Sequence, residues 1–240
     1  QNVHGIASGF SRLDRELPDG GWPHQGVLEM LLPHDGLGEL GLLAPALARL
    51  SQPNRWLVWI APPWIPYAPA LERQGVNLQQ VLLVQPSNLR DCLWSMEQCL
   101  SSGACSAVLG WPGAVQPLHV KRLHLAAQHG QCMGVLMREQ RYSQSPSPAP
   151  LRIEVGPVMT QGSSQMQCNL RLIKRRGRWA SEWFSVQWEA PIAPHWPAQK
   201  AELSTPSDQH QDAPASRLPK HHDNIPGQRV AVDIADSRRV

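Results

Sequence analysis

The chain has 240 residues, of which 42% are hydrophobic and 17% charged, with a formal net charge of +3. That is enough apolar material for one ordinary core, too few charges for a wholly disordered chain, and too little net charge to argue for nucleic acid alone. The 23 Pro and 18 Gly exclude a coiled coil, and Pro62, Pro63, Pro66 and Pro69 break the most apolar run, so no stretch suits a bilayer.

Residues 1–24 read as a lead-in segment, without the basic and apolar regions of a signal peptide. A first apolar strand is expected at 27–32, followed by a Gly-containing loop and a helix over 40–50 that is apolar nearly all round. Further strands fall at 56–60, 81–84, 107–110 and 132–137. A short helix at 68–74 ends at Gly75. Ser87 or Asn88 caps a helix with Leu89, Cys92, Leu93, Met96, Cys99 and Leu100 on its apolar face, ending at Gly103. Pro117 suits the first turn of a helix ending at Gly130, with Val120, Leu123 and Ala127 inward. Apolar strands alternating with helices predict an α/β fold with a mainly parallel sheet, covered on both faces.

After residue 140 the pattern changes. Residues 151–155, 167–174 and 183–189 alternate polar and apolar with no helix between them, and predict an antiparallel extension over 151–190 at one sheet edge. The core domain is therefore expected over 25–190. Residues 191–240 are polar and Pro-rich and predict a disordered tail.

The loop after the first strand is where such a sheet binds phosphate. Here it holds Pro33, Gly36, Gly38, Glu39 and Leu40. A working phosphate loop reads G-x-x-x-x-G-K-[ST], with Lys on the phosphates and the hydroxyl on magnesium. Aligning Gly38 with its second Gly puts Pro33 at the first Gly, Glu39 at Lys and Leu40 at Ser/Thr. A carboxylate at 4 Å from a phosphate charge is repelled by about 4 kcal/mol at an effective dielectric near 20. The strand at 107–110 ends in Trp111-Pro112-Gly113, where an acidic metal ligand would stand. The nucleotide site is read as degenerate: no enzyme, no cofactor, and glycines that make a tight turn. Trp22, Trp64 and Trp111 either plug the vacated site or form an exposed patch for a partner.

The five Cys are odd in number and form no CxxC pair, which reads as reduced, buried thiols. The ten His show no zinc spacing, so no metal is expected. Residues 171–178 hold five cations and no acid. A hairpin turning near Gly177 would cluster Lys174, Arg175, Arg176 and Arg178 at its tip, with Trp179 beside them. Such a tip is either a solvated turn or a contact with single-stranded DNA phosphates or an acidic partner face.

Several motifs together resemble a known family. They are Ser8-Gly9-Phe10-Ser11-Arg12-Leu13-Asp14, Leu17-Pro18-Asp19-Gly20-Gly21-Trp22-Pro23, and Arg55-Trp56-Leu57-Val58-Trp59-Ile60-Ala61-Pro62-Pro63. Val108-Leu109-Gly110-Trp111-Pro112-Gly113 and Leu172-Ile173-Lys174-Arg175-Arg176-Gly177 continue the pattern. Over about residues 5–190 the chain resembles ImuA, a translesion-synthesis accessory family related to RecA and to the division inhibitor SulA. The resemblance implies a RecA-like P-loop-type core and a damage-inducible (SOS) cytoplasmic adaptor. Its implied partners are ImuB, a polymerase-like protein, an error-prone polymerase III alpha-type subunit and possibly RecA. The alternative it implies is a SulA-type division inhibitor that binds FtsZ. The extension beyond residue 150, which SulA lacks, favours ImuA.

Overall fold

In a computed structural model, residues 5–36, 38–161 and 165–189 are described. The expected tail over 191–240 lies outside the described residues. The sheet has eight strands in the order β3-β2-β4-β5-β1-β6-β7-β8. Its parallel part contains β1 (Gly26–Leu32), β2 (Trp56–Ile60), β3 (Val81–Val84), β4 (Cys105–Gly110) and β5 (Met133–Glu139). Helices α1 (Ser11–Glu16), α2 (Leu40–Leu50), α3 (Ala68–Arg73), α4 (Leu89–Ser101) and α5 (Pro117–His129) connect or precede these strands.

The local signals work as the residues suggest. The Asn88 side chain accepts the Asp91 backbone N–H at 3.0 Å and starts α4. Pro117 opens α5, and Val120, Leu123 and Ala127 are its buried residues. On α4 the buried residues are Cys92, Ser95, Met96 and Leu100, while Leu89 is exposed.

Two apolar layers sandwich the sheet. On one face Val27, Val58, Ile60, Val108 and Leu136 pack with Met96 and Leu100 of α4 and Val120 and Leu123 of α5. On the other, Leu28, Met30, Leu57, Trp59 and Val135 pack with Leu42, Leu43 and Leu47 of α2 and with Leu13, Leu17 and Trp22 of the lead-in. Leu13, Leu17 and Trp22 are fully buried, and Ile6 bridges Trp22. Ile6, Leu13, Leu17 and Trp22 of the lead-in are thus part of the core's packing.

The extension departs from its expected form at its first strand. β6 (Leu151–Gln161) runs parallel to β1, from Leu28↔Leu151 to Leu31↔Glu154, and only β7 (Gln165–Lys174) and β8 (Phe184–Glu189) are antiparallel additions. The physical reason is buried and charged. Glu29, in the middle of apolar β1, accepts from Arg138 of β5 at 2.6 Å and from Arg152 of β6 at 2.6 Å. Arg152 also donates to the carbonyls of Tyr142, Ser143 and Ser145, which anchors the 140–150 connection. Arg138 stacks on the Tyr142 ring at 4.3 Å. One central carboxylate thereby fixes both neighbours of β1.

Helix α2 carries Pro45 in its interior, which cannot donate to the Gly41 carbonyl. Gly41 faces the Trp188 indole of β8 so closely that any Cβ would overlap it. A side chain there would push β8 off the helix.

Candidate functional site

The loop between β1 and α2 is covered by side chains. Gly36 (φ +76) sits under Trp64, whose Nε1 would lie 3.2 Å from an added Cβ. Gly38 (φ +84) sits under the Met166 methyl in the same way, at 3.1 Å. Glu39 is 4% exposed and Leu40 packs on the main core, whereas Pro33 is exposed. The Asp35 carboxyl is pushed up by burial and by the Glu139 charge. The position after β4 is held by Trp111, which packs on the core and whose backbone N–H donates to Ile60 O at 3.1 Å. Trp64 and Trp111 therefore fill the space at the strand ends rather than presenting a patch, and Trp22 lies inside the lead-in. No group of three His, Cys, Asp or Glu at metal-holding distance occurs among the described residues.

The basic segment forms a hairpin, with Arg175 bridged to Arg178 and Gly177 (φ +72) in the turn. β-branched residues are absent from that turn, and glycine takes the positive φ at no steric cost. Its cations do not cluster freely. Arg175 bonds Glu16 Oε2 at 2.6 Å and the Glu16 carbonyl at 2.9 Å, and its Nε donates to Trp179 O. Arg178 donates to Arg15 O at 2.9 Å, and Lys174 to Ser147 O at 2.6 Å. These three dock the hairpin on the last turn of α1 and on the 143–150 connection. Arg176 has no partner among the described residues, and Trp179 is 92% exposed.

A surface absent from the sequence reading lies on α4 and α5. Arg122 of α5 pairs with Glu97 of α4 at 2.5 Å. Trp94 stands one turn before Glu97, and Leu118 and Leu125 stand one turn to either side of Arg122, all three about half exposed or more. The signal was available in the sequence. Leu118 and Leu125 are seven apart, on the side of α5 away from Val120, Leu123 and Ala127.

Residues 32–134 match the family model of the cell division inhibitor SulA. This stretch is similar to the SulA family. It is 35% identical over 99 residues to the cell division inhibitor SulA of Edwardsiella piscicida, covering 41% of this chain and 59% of that protein. Against the SulA of Photorhabdus laumondii it is 31% identical over 114 residues, covering 48% and 64%. The chain thus spans about three-fifths of the length of the curated relatives it matches. The crystal structure of SulA from Pseudomonas aeruginosa matches with 33% identity over 47% of this chain and 97% of that chain, with a TM-score of 0.40.

The comparisons overturn the translesion reading. What matches is the division inhibitor, so an adaptor working with ImuB, a polymerase subunit and RecA is corrected to the SulA alternative. The extension over 151–189, which favoured ImuA, lies outside the matched stretch and carries no weight in that choice.

Proposed function

We propose that the chain is a SulA-type inhibitor of cell division, made in the SOS response and acting in the cytoplasm by binding FtsZ without catalysis. The SulA match over 32–134 carries this reading. Six of the nine large hydrophobic side chains exposed among the described residues fall inside it: Ile65, Tyr67, Leu89, Trp94, Leu118 and Leu125. Exposed apolar side chains grouped beside charged ones are the ordinary makings of a partner surface. We assign the contact to the α4–α5 face around Trp94, Leu118 and Leu125. No helix among the described residues is long and apolar enough to cross a membrane.

The scaffold for this face is read as a RecA-like core whose phosphate loop has become a packed turn. Two features support that descent: the loop position at the end of central β1, and the three late strands beyond it.

The test is sedimentation of FtsZ polymer and its GTPase rate, with the full chain added. The chain should lower both. Trp94→Ala combined with Leu118→Ser should weaken inhibition at least tenfold, while Arg176→Ser should not. If the unmodified chain leaves polymer mass and GTPase rate unchanged, the division-inhibitor reading is wrong.

A further inference from the structure

Of the nine large hydrophobic side chains exposed among the described residues, three lie outside the SulA match: Met159, Trp179 and Trp183. All three belong to the β6–β8 extension. Its strands have one covered face, where Cys168, Leu170, Phe184 and Val186 pack with α2 and the lead-in. On the other face the α4–α5 layer contains no residue of β6, β7 or β8 among the described residues. Alternation gives that open face the residues in between. Two cross-strand pairs bond there. Ser185 Oγ donates to Asn169 Oδ1 at 2.7 Å, and Gln187 Nε2 to Gln167 Oε1 at 2.9 Å. Trp183, about half exposed, continues the row of Gln187 and Ser185 towards the basic hairpin.

The hairpin is fixed at its base. The Ser181 N–H donates to the Leu172 carbonyl and its hydroxyl accepts the Leu172 N–H, both at 2.9 Å. Arg171 Nε donates to the Ser181 carbonyl at 3.3 Å. Arg175 Nε holds the Trp179 carbonyl at 2.6 Å, so an indole left almost wholly in water is carried on a tethered backbone.

The charge beside that indole is positive. Lys174 and Arg178 give hydrogen bonds to carbonyls, which take up donors and leave the cationic charge in place. The Glu16 carboxylate is taken up by Arg175. Arg176, at the turn, has no partner among the described residues, and Glu182 is the one acid between residues 171 and 183.

These features together select a ligand. A protein partner docks on contiguous apolar area, and here amides, hydroxyls and cations surround the two indoles. Nucleic acid bases offer a π face to any aromatic ring, and phosphates offer negative charge to a free guanidinium. In a duplex those faces are closed within the stack, whereas a single strand presents them. We propose that the segment from Arg176 to Trp183 is a binding site for single-stranded DNA, with a base stacked on each of Trp179 and Trp183 and a phosphate on Arg176. The two indoles are four residues apart, no more than about 14 Å of chain, so one short oligonucleotide reaches both. The site lies outside the SulA match and does not rest on the FtsZ reading.

The test is a titration of the full chain into fluorescein-labelled oligothymidine of about fifteen nucleotides, followed by anisotropy from about 50 to 200 mM salt. Saturable binding is expected, with a salt slope near −0.7 from the single phosphate contact. Trp179→Ala and Trp183→Ala should each weaken it by about fivefold or more, the effect of losing one base stack. Arg176→Ser should flatten the slope towards zero. A duplex of the same length should bind at least tenfold more weakly. All three side chains are exposed, and an unchanged thermal transition in each variant shows that the fold is kept. Four results would each overturn the proposal. They are no binding of oligothymidine, undiminished affinity in the Trp179→Ala and Trp183→Ala double variant, equal affinity for the duplex, and binding of polyglutamate in place of oligothymidine, which would mark an acidic protein as the partner.

Discussion

Replacing Glu29 by Gln leaves the two guanidinium groups of Arg138 and Arg152 buried without their shared counter-charge. Removing one partner of such a buried group costs about 3–5 kcal/mol. Urea unfolding of Glu29→Gln should show a loss on that scale, with the slope unchanged. A second residue sets a pH limit. His124 Nδ1 accepts the Val27 backbone N–H at 3.0 Å, and burial lowers the ring's pKa below its ordinary 6.5. The unfolded chain therefore binds the proton more readily than the folded one. Stability from this group is complete above about pH 6.5 and falls as pH drops below it. Denaturant midpoints at pH 7.5 and 5.5 should differ less in His124→Gln than in the natural sequence. Glu29 also marks what a one-dimensional reading misses. A lone carboxylate inside Val-Leu-Glu-Met-Leu-Leu looks like an interruption of an apolar run, because its two partners lie more than a hundred positions away.

At the scale of elements, strands with continuous apolar runs were legible to within about two residues at either end, since a strand buried on both faces leaves no ambiguity of period. The turn at Gly177 was legible as well. The direction of β6 was not, because alternation gives a strand's faces and says nothing of its sense; the Arg152–Glu29 pair fixes its register against β1. The role of the basic tip was also hidden, since Glu16, the partner of Arg175, belongs to α1. That bridge makes the hairpin acid-sensitive. The Arg175 hydrogen bond holds Glu16 below its usual 4.5. The bridge contributes its stabilisation above that value and loses it as pH falls through the lowered one. Hydrogen exchange at residues 175–179 should rise in acid, and Glu16→Gln should abolish the step. With Lys174, Arg175 and Arg178 occupied, single-stranded DNA binding at the tip should show a salt slope near −0.7, one contact's worth, and not about −3. Gly41→Val belongs here too: it drives Trp188 away, and should expose β8 to protease while α4 and α5 stay protected.

For the whole molecule, Ile6, Leu13, Leu17 and Trp22 of the lead-in behave as part of the core. Burial of a large apolar side chain contributes about 1.5–3 kcal/mol, and Leu13, Leu17 and Trp22 are fully buried, against roughly 5–15 kcal/mol for a whole domain. A chain beginning at residue 25 should lose its cooperative thermal transition, as followed by circular dichroism. The position of β1 has a further consequence, for biosynthesis. It leaves the ribosome before the other strands of its sheet, yet its neighbours β5 and β6 lie about a hundred residues downstream. At translation speeds of about 5–20 residues per second, the apolar core of the sheet waits on the order of 5–20 s for either flank. A nascent chain stalled after β4 should therefore be held by a holdase chaperone, and one stalled after β6 should let it go.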